Sequence, residues 1–325
     1  MMRLLPAVVL GVAASGGAAQ AELVPKTMGA WVATELGGQR YEKAFRTPQI
    51  GDLHTKFADL PTECEVLVKV MASSVNPCDL HTAATLGPTV AGSDIAGVVV
   101  ELSTTGCTGR LKVGDQVWAD IGAVTKTAGG KSTKELGGYA EYAVALETQL
   151  GTKPSLLGWE EAGSLPKVAL TSYKALAWYA GGPWSNKPTV LVLGGSGGTG
   201  TAGIQLAKAM GAGMVITTTS ADNFAYCKGL GADWLIDYKT TDWWTKGVIA
   251  DQSVDVVYDC VGQVREKKSR IGHMPLLPSQ IYTSSNSLSR LSGRAGRPTT
   301  PWARSSRAVC HCQTQRQQPP INDEW

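Results

Sequence analysis

The segment TVLVLGGSGGTGTAGIQLAKAMGA, residues 189–212, passes from a short β-branched run through glycines into a helical pattern. Its centre matches G-x-G-x-x-G, with the residues Gly195, Ser196, Gly197, Gly198, Thr199 and Gly200. We expect the first glycine to make the tight turn, the second to let a pyrophosphate approach the backbone, and the third to let the helix pack on the strand. Between a strand and a helix, this motif predicts a dinucleotide site, whose phosphates bind at the helix N-terminus. The alternative is a flexible glycine turn.

The end of the next predicted strand, GMVITTT, bears on which nucleotide would bind. A site for NAD usually has Asp or Glu there to hold the ribose 2′-hydroxyl. Here the strand runs through Thr219 into Ser220, and no acid follows until Asp222. Hydroxyl groups in place of a carboxylate remove repulsion against a 2′-phosphate, so the sequence favours NADPH over NADH. Ser220 is a candidate phosphate contact, and capping of the following helix is the equal alternative.

The segments on either side of this motif predict two different kinds of architecture. Residues 26–150 contain short alternating or apolar strands separated by turn signals, which indicates a small bent β-barrel with a polar loop over 124–138. Residues 156–181 have helical spacing interrupted at Pro166. Strands and helices then alternate as far as DVVYDCVG, which predicts parallel βαβ units. The fold class is therefore α/β with a β-barrel before the parallel sheet.

Composition, charge and cysteine spacing argue against a nucleic-acid-binding protein and against a disulfide-stabilised scaffold. The 325 residues are 43% hydrophobic and 18% charged, as in an ordinary globular chain. The net charge of +3 is uneven, because residues 264–325 hold ten Lys or Arg and three Asp or Glu, a net of +7, which leaves the rest at −4. The body is thus not expected to bind nucleic acid. The seven cysteines are scattered, and we expect no disulfide framework, with Cys78 and Cys107 standing alone.

The N-terminus, MMRLLPAVVLGVAASGGAAQAE, has the pattern of a secretory signal peptide over residues 1–21, with cleavage after Ala21. Its apolar run is too short to span a bilayer, and no other segment is long and apolar enough to do so. The predicted location is the secretory route, which includes the ER and a plastid reached through it. If the N-terminus instead comes from a wrong start codon, the location is cytoplasmic.

Eight segments occur together in a familiar order over about residues 28–263. They read SSVNPCDLH, AGSDIAGVVVEL, VGDQVWA, GGYAEYAV, AGSLPKVALTSYKAL, VLVLGGSGGTGTAGIQLAKAMGA, LGADWLIDY and DVVYDCVG. In these segments the chain resembles the medium-chain dehydrogenase/reductase superfamily, in its zinc-free quinone oxidoreductase and alkenal (enone) reductase branch. The resemblance implies a GroES-like domain over residues 22–155 and a Rossmann NADP-binding domain over 156–263. It also implies a substrate in the cleft between them.

The resemblance assigns roles to residues on both sides of the cleft. Asn76 and Asp79 would line it near the nicotinamide, and Thr171 would turn its hydroxyl toward that ring. Asn76 could donate to the substrate carbonyl or to the cofactor amide, or it could be only a turn residue before Pro77. For Thr171 the alternative is a mid-helix threonine that bonds its own backbone.

On the nucleotide side, the resemblance implies that Ser196, Gly197, Gly198 and Thr199 hold the pyrophosphate. Tyr238 matches a position near the adenine-side phosphate, with Lys239 beside it, and a plain surface tyrosine is the alternative.

Neither catalytic nor structural zinc is expected. Zinc-dependent members of the superfamily have Cys at the position of Asn76 and a His-Glu pair at Ser93 and Asp94. A serine, an amide and one carboxylate are poor zinc ligands. The reaction implied is transfer of a hydride from NADPH to a quinone or to the β-carbon of an α,β-unsaturated carbonyl compound.

The resemblance stops after DCVG. Residues 264–325 are rich in Ser, Arg, Pro and Gln and are predicted to be a disordered, non-homologous tail after an incomplete Rossmann domain. Family homodimers often use the missing strands, so the sequence offers no support for a dimer here. A non-catalytic NADPH binder and an inert truncated isoform are alternatives. An enoyl thioester reductase and a zinc alcohol dehydrogenase have less support.

Overall fold

A computed structural model describes residues 23–33, 39–52, 63–79, 89–122, 124–126, 132–134, 137–245, 247–250, 253–261 and 281–282. The predicted signal peptide and most of the predicted tail lie outside these residues. Within the described residues, no helix is both long and apolar enough to cross a membrane.

The N-terminal part consists of short strands in antiparallel pairs. They are β1 (Thr27–Ala33), β2 (Gln39–Arg46), β3 (Glu65–Ala72), β4 (Thr89–Val90), β5 (Asp94–Leu102), β6 (Gln116–Asp120), β7 (Val124–Lys126), β8 (Ser132–Lys134), β9 (Tyr142–Leu146) and β10 (Gly151–Thr152). One sheet has the order β10-β6-β5-β3-β9, and another has the order β2-β1-β4. Strands β7 and β8 form a hairpin within residues 124–138, where the sequence predicted a polar loop, so that prediction was wrong at these six residues.

The pairing of β3 with β5 bends this part of the chain. The register between the two strands shifts between Leu67 and Val68 and again between Val70 and Ala72. Such irregularities bend a strand and increase its twist. Apolar side chains of these and neighbouring strands form one buried cluster that includes Val66, Val68, Ile95, Val99 and Val117. The predicted bent barrel is therefore confirmed in its central strands.

One cysteine prediction was wrong. Cys107 does not stand alone, because it forms a disulfide with Cys64, and the two Cα atoms lie 4.4 Å apart. Cys64 immediately precedes β3, and Cys107 lies in the turn after β5. Antiparallel pairing brings these strand ends together although 43 residues separate them in the chain. Cys227 is a buried cysteine that forms no disulfide.

A helical segment joins the barrel to the second sheet. It comprises α1 (Trp159–Ser164), α2 (Pro166–Tyr173) and a π-helical segment, Lys174–Tyr179. Pro166 occupies the first turn of α2, where the missing N–H group costs no helical hydrogen bond. The predicted interruption at this proline is confirmed.

The second sheet is parallel throughout and has the order β13-β12-β11-β14-β15. Its elements in chain order are β11 (Thr189–Leu193), α3 (Gly198–Ala209), β12 (Met214–Thr219), a 3₁₀ turn (Ala221–Asn223), α4 (Phe224–Gly229), β13 (Trp234–Asp237), β14 (Val256–Asp259) and β15 (Ile281–Tyr282). Strand β15 pairs with β14 and lies within the predicted tail, so at these two residues the structure differs from a tail without packed elements.

Both faces of this sheet are covered. Val190 and Val192 belong to a buried cluster with Ile204 of α3, whereas Leu191 and Leu193 pack with another cluster on the opposite face. A strand buried on both faces is a continuous apolar run, which is why TVLVL does not alternate with polar residues. The parallel order places the carboxyl ends of β11, β12, β13 and β14 along one edge.

Candidate functional site

The glycine-rich loop leaves the carboxyl end of β11 and begins α3. Gly194 has φ +76°, a left-handed conformation that favours glycine. The Gly197 N–H donates to the Gly194 oxygen at 3.0 Å, so the tight turn runs from Gly194 to Gly197 and Gly195 lies inside it. A Cβ on Gly195 would lie 2.0 Å from Thr217 Oγ1, so this glycine permits contact with β12. A Cβ on Gly200 would lie 2.1 Å from the Gly194 oxygen, so the third glycine permits close packing of α3 against the turn that follows β11.

The start of α3 is open to an anion. Gly197 is the N-cap with extended backbone, and the Thr201 N–H donates to its carbonyl oxygen at 2.8 Å. The N–H groups of Gly198, Thr199 and Gly200 precede this first helical bond and need other acceptors. A Cβ on Gly197 would meet only the Gly194 oxygen, at 3.3 Å, so the outer side of the loop has room. The loop therefore fits a pyrophosphate group at the positive end of a twelve-residue helix.

Polar side chains at the end of β12 form a small network beside this loop. Ser196 Oγ accepts hydrogen bonds from Thr219 Oγ1 at 2.9 Å and from Asn223 Nδ2 at 3.4 Å. Asn223 Nδ2 also donates to Ser220 Oγ at 3.0 Å. Ser220 stands at the N-cap of the 3₁₀ turn, but its side chain makes no capping hydrogen bond. The sequence analysis missed Asn223, whose amide links the phosphate loop to the end of the second strand.

Tyr238 and Lys239 follow β13 along the same edge of the sheet. The Tyr238 N–H donates to the Thr219 carbonyl oxygen at 3.3 Å, and its side chain is about half exposed. Lys239 Nζ lies 3.9 Å from Asp222 Oδ2, and both side chains are exposed. The parallel sheet thus brings the predicted residues Ser196, Ser220, Tyr238 and Lys239 to one edge.

On the barrel side, Asp79 is buried and accepts from three nitrogen or oxygen donors and from the Cys78 thiol at 4.0 Å. Ser93 Oγ donates to Oδ1 at 2.7 Å, while Tyr139 OH at 2.7 Å and the Asn76 N–H at 3.0 Å donate to Oδ2. Burial and the hydrogen bond to Asp79 raise the pKa of Tyr139. Asp79 therefore fixes the NPCD turn against the barrel. The sequence around Asp79 did not reveal that Ser93 and Tyr139 would be its partners.

Asn76 directs its amide into the protein. Nδ2 donates to Asp94 Oδ2 at 2.8 Å and lies 3.3 Å from Ser74 Oγ. Both amide hydrogens are thus directed at protein oxygens, and in this arrangement neither points to a substrate carbonyl. Asn76 is only 5% exposed.

Three charged residues next to Asn76, namely Asp94, Asp120 and Lys167, form a charged group that is largely shielded from solvent. Asp94 Oδ2 also accepts from Ser74 Oγ at 2.6 Å, and Asp94 Oδ1 accepts from the Lys167 N–H at 2.8 Å. Burial raises the pKa of Asp94 to about 6, against the opposing effect of the hydrogen bonds from Ser74 and Asn76. Lys167 Nζ forms an ion pair with Asp120 Oδ1 at 2.6 Å. Burial alone would lower the pKa of Lys167, but attraction to Asp120 outweighs it and raises that pKa.

Helix α2 connects this charged group to the phosphate loop. Ser172 Oγ lies 2.9 Å from the carbonyl oxygens of Val168 and Thr199 and 3.1 Å from Tyr258 OH. A Cβ on Gly198 would lie 3.0 Å from Val168 Cγ1. Thr171 is half-buried on the neighbouring face, one turn after Lys167. The side-chain hydrogen bond to the backbone of the same helix, which was the alternative role for Thr171, is made by Ser172. One short helix therefore contacts the barrel and the phosphate loop.

The residues at the zinc positions of the superfamily do not fit that metal. Ser93 donates to Asp79, and both Asp94 oxygens accept from protein donors. Among the residues that the structure describes, no group of three or more His, Cys, Asp or Glu side chains could hold a metal ion. The absence of zinc remains a prediction, supported by this donor set.

Two family models match the chain. Residues 62–155 match the alcohol dehydrogenase GroES-like domain, and residues 198–269 match the family described as zinc-binding dehydrogenase. The first match covers strands β3 to β10, and the second begins at the first residue of α3.

Two curated relatives and one solved structure are similar to the chain. It is 37% identical over 271 residues to the 2-methylene-furan-3-one reductase of Solanum lycopersicum, covering 78% of this chain and 63% of the relative. It is 34% identical over 253 residues to the chloroplastic NADPH-dependent alkenal/one oxidoreductase of Arabidopsis thaliana, covering 74% and 58%. It superposes on the quinone oxidoreductase from Coxiella burnetii with a TM-score of 0.57 and 29% identity, over 75% of this chain and 72% of that one.

The chain spans less than two thirds of the length of these two curated relatives. Over that span, the order of barrel, linking helices and glycine-rich parallel sheet agrees in sequence and in structure. The chain therefore belongs to the medium-chain dehydrogenase/reductase superfamily, in its quinone oxidoreductase and alkenal reductase branch.

Proposed function

We propose that the chain is an NADPH-dependent oxidoreductase that reduces a quinone or an α,β-unsaturated carbonyl compound without zinc. One observation carries this proposal. Helix α2 packs its Val168 and Ser172 side against the phosphate loop and is anchored to the barrel through Lys167. A nucleotide whose pyrophosphate binds at the start of α3 can therefore extend toward the barrel past Thr171.

The nucleotide would be held by the loop and by the neighbouring strand ends. Ser196, Gly197, Gly198 and Thr199 would hold the pyrophosphate through backbone N–H groups. Ser220 and Lys239 would meet the adenosine 2′-phosphate, with Tyr238 beside it. The hydroxyl-rich end of β12 supports NADPH, as does the NADPH dependence printed in the name of the Arabidopsis thaliana relative.

When bound, NADPH supplies a hydride at the nicotinamide ring. The chain's own contribution is to orient the acceptor, exclude water and stabilise negative charge on its oxygen. Thr171 would contact the acceptor or the nicotinamide ring. Asn76 and Asp79 are positioning residues in this arrangement, because their polar groups bond within the barrel wall.

The test is a fluorescence titration of purified residues 22–325 with NADPH and, in parallel, with NADH. Oxidation of NADPH is then followed in the presence of a small enone or of a naphthoquinone. The expected result is saturable binding that is tighter for NADPH, and turnover with at least one acceptor. Folded protein that binds no dinucleotide would contradict the nucleotide site. Binding without turnover of either acceptor would favour the alternative, a non-catalytic NADPH binder.

Entry into the secretory route through residues 1–21 is part of the same proposal, with the ER or a plastid as the destination. The Cys64–Cys107 disulfide supports it, because disulfides are rare in the cytosol and persist in oxidising compartments. The name of the Arabidopsis thaliana relative places that protein in the chloroplast. N-terminal sequencing of the mature protein tests the proposal. An N-terminus at Glu22 is expected, and an intact Met1 would contradict cleavage.

A further inference from the structure

The donors in the barrel wall of the cleft are largely committed to protein carboxylates. The Ser74 and Ser93 hydroxyls donate to Asp94 and Asp79, and the Tyr139 hydroxyl donates to Asp79. The Asn76 amide is directed at Asp94 and Ser74. A hydroxyl has one hydrogen and a side-chain amide has two, so these groups have no further proton to offer an acceptor. In this arrangement the side chains of these four residues do not supply the donor for a substrate oxygen.

Lys167 of α2 is a charged side chain that retains this capacity. Its ammonium group has three hydrogens, and among the described residues the side chain contacts one acceptor, Asp120 Oδ1 at 2.6 Å. Attraction to Asp120 keeps the pKa of Lys167 above its ordinary value, so the group is an ammonium at neutral pH. The side chain is 13% exposed, so it is neither fully enclosed nor freely solvated.

The backbone fixes where this ammonium lies. Lys167 is the second residue of α2, and its N–H donates to the buried Asp94 at 2.8 Å. Residues four apart on a helix share a face, so Lys167 and Thr171 lie on one side of α2. The adjacent side, with Val168 and Ser172, contacts the phosphate loop. A substrate lying between the nicotinamide and the barrel would therefore approach the face that carries Lys167 and Thr171.

We propose that Lys167 is a further catalytic residue, whose ammonium donates a hydrogen bond to the substrate carbonyl oxygen and stabilises the oxyanion formed on hydride transfer. This inference rests on the proposed function. The hydride forms a C–H bond at the β-carbon of an enone, and the C=C electron pair moves to give an enolate. Water then protonates the α-carbon. One NADPH and one proton yield NADP⁺ and the saturated ketone.

In this reaction the Asp120 carboxylate is a positioning residue. It holds Lys167 as a cation in a partly water-excluded site, where a preoriented charge stabilises an oxyanion more than it would in water. Its Oδ1 also accepts from the Gly122 N–H at 3.0 Å, which fixes the carboxylate.

The first test is steady-state reduction of a small enone by Lys167→Met, Lys167→Arg and the control Lys174→Met. Lys174 is on the same helical segment and lies over the Trp178 ring, outside the charged group. Removing one preorganised oxyanion donor lowers kcat by about 100-fold or more. We expect that loss for Lys167→Met, with the dissociation constant for NADPH within about twofold of wild type because only the oxyanion donor is removed. Lys167→Arg keeps the charge and should retain at least about a tenth of kcat.

Lys167→Met leaves buried Asp120 without its cation, which could impair folding. The double variant K167M/D120N removes both charges, and the Asn oxygen can still accept from Gly122. It should fold, bind NADPH and remain as inactive as the single variant. Wild-type kcat in either folded variant would overturn the role of Lys167.

A second readout does not depend on turnover. p-Nitrophenolate, a coloured oxyanion, is titrated into the NADP⁺ complex of each protein. The wild type and Lys174→Met should bind it alike, and K167M/D120N should bind it at least about tenfold more weakly, since the cationic partner is lost. Equal affinity, or no binding to the wild type, would overturn the inference. Lys167-dependent binding by a protein that reduces neither acceptor would refute the proposed function but leave this oxyanion site in place.

Discussion

Replacing Gly200 with alanine tests whether the phosphate loop works by close packing of backbone on backbone. The added Cβ would lie 2.1 Å from the Gly194 oxygen and 2.8 Å from the Gly195 Cα. These are backbone atoms, so no rotation of a side chain relieves the contact. Reaching even 3.0 Å from that oxygen requires a movement of at least 0.9 Å. The first turn of α3 would move away from the turn at Gly194.

The cost of that movement follows from the loop's own contacts. The N–H groups of Gly194 and Gly195 both donate to the Thr218 oxygen, at 3.1 and 3.0 Å. Losing both hydrogen bonds, together with the strain of overpacking, costs about 3 to 5 kcal/mol. If binding must restore the native loop, the dissociation constant for NADPH rises by about 100-fold or more.

The assay is a fluorescence titration of NADPH, paired with thermal unfolding, on Gly200→Ala and on a control. Gly229→Ala is the matched control, because its Cβ would meet nothing within 4 Å at the end of α4. Alanine is a better helix former than glycine, so the control should be as stable as wild type or more so by about 0.5 kcal/mol. Binding by Gly200→Ala within threefold of wild type, with unchanged thermal stability, would refute the packing argument.

Three further predictions concern pH, redox state and charge. Burial raises the pKa of Asp94 from 3.8 to about 6, so the stability that this group contributes is fully present below pH 4 and is lost as the pH rises through 6. Urea unfolding should show wild type losing about 3 kcal/mol relative to Asp94→Asn across that range, and parallel pH profiles would contradict this. Reducing the Cys64–Cys107 disulfide should lower the free energy of unfolding by up to about 4 kcal/mol, from closure of the loop that it spans, and an unchanged urea midpoint would argue against it. Asp222→Asn removes a carboxylate 3.9 Å from Lys239 Nζ, so at low salt NADPH should bind about threefold more tightly and the affinity for NADH should not change. An equal change for both nucleotides would refute a 2′-phosphate contact at Lys239.

Local patterns in the sequence were sufficient for the elements with one strong signal. The run DIAGVVVEL is β5, TVLVL is β11, and Pro166 separates two helices. The two strands are apolar and β-branched, and the two helices are separated by a proline. In both cases tertiary packing favours the same secondary structure as the local sequence. The parallel sheet then follows from the alternation of strands and helices.

The charged group of the cleft could not be predicted in the same way. Asp94 and Asp120 lie in neighbouring strands, and Lys167 reaches them from α2, 73 residues after Asp94. Each residue looks like an ordinary polar residue in its own segment. The Cys64–Cys107 pair was missed for the same reason, since strand register decides whether two distant thiols meet. The left-handed backbone of Gly194 was missed for another reason, since this glycine precedes the G-x-G-x-x-G motif.

The most direct test of the account is transfer of deuterium from NADPH labelled at C4 of the nicotinamide to a small enone, analysed by mass spectrometry of the product. Each face of the nicotinamide is labelled in turn, and wild type is compared with Lys167→Met at equal saturation with cofactor. Hydride transfer in this cleft predicts a saturated ketone with deuterium at the β-carbon from one labelled face only, formed far more slowly by the variant. A saturated product without deuterium, or equal rates from the two proteins, would contradict hydride transfer in the cleft between α2 and the barrel.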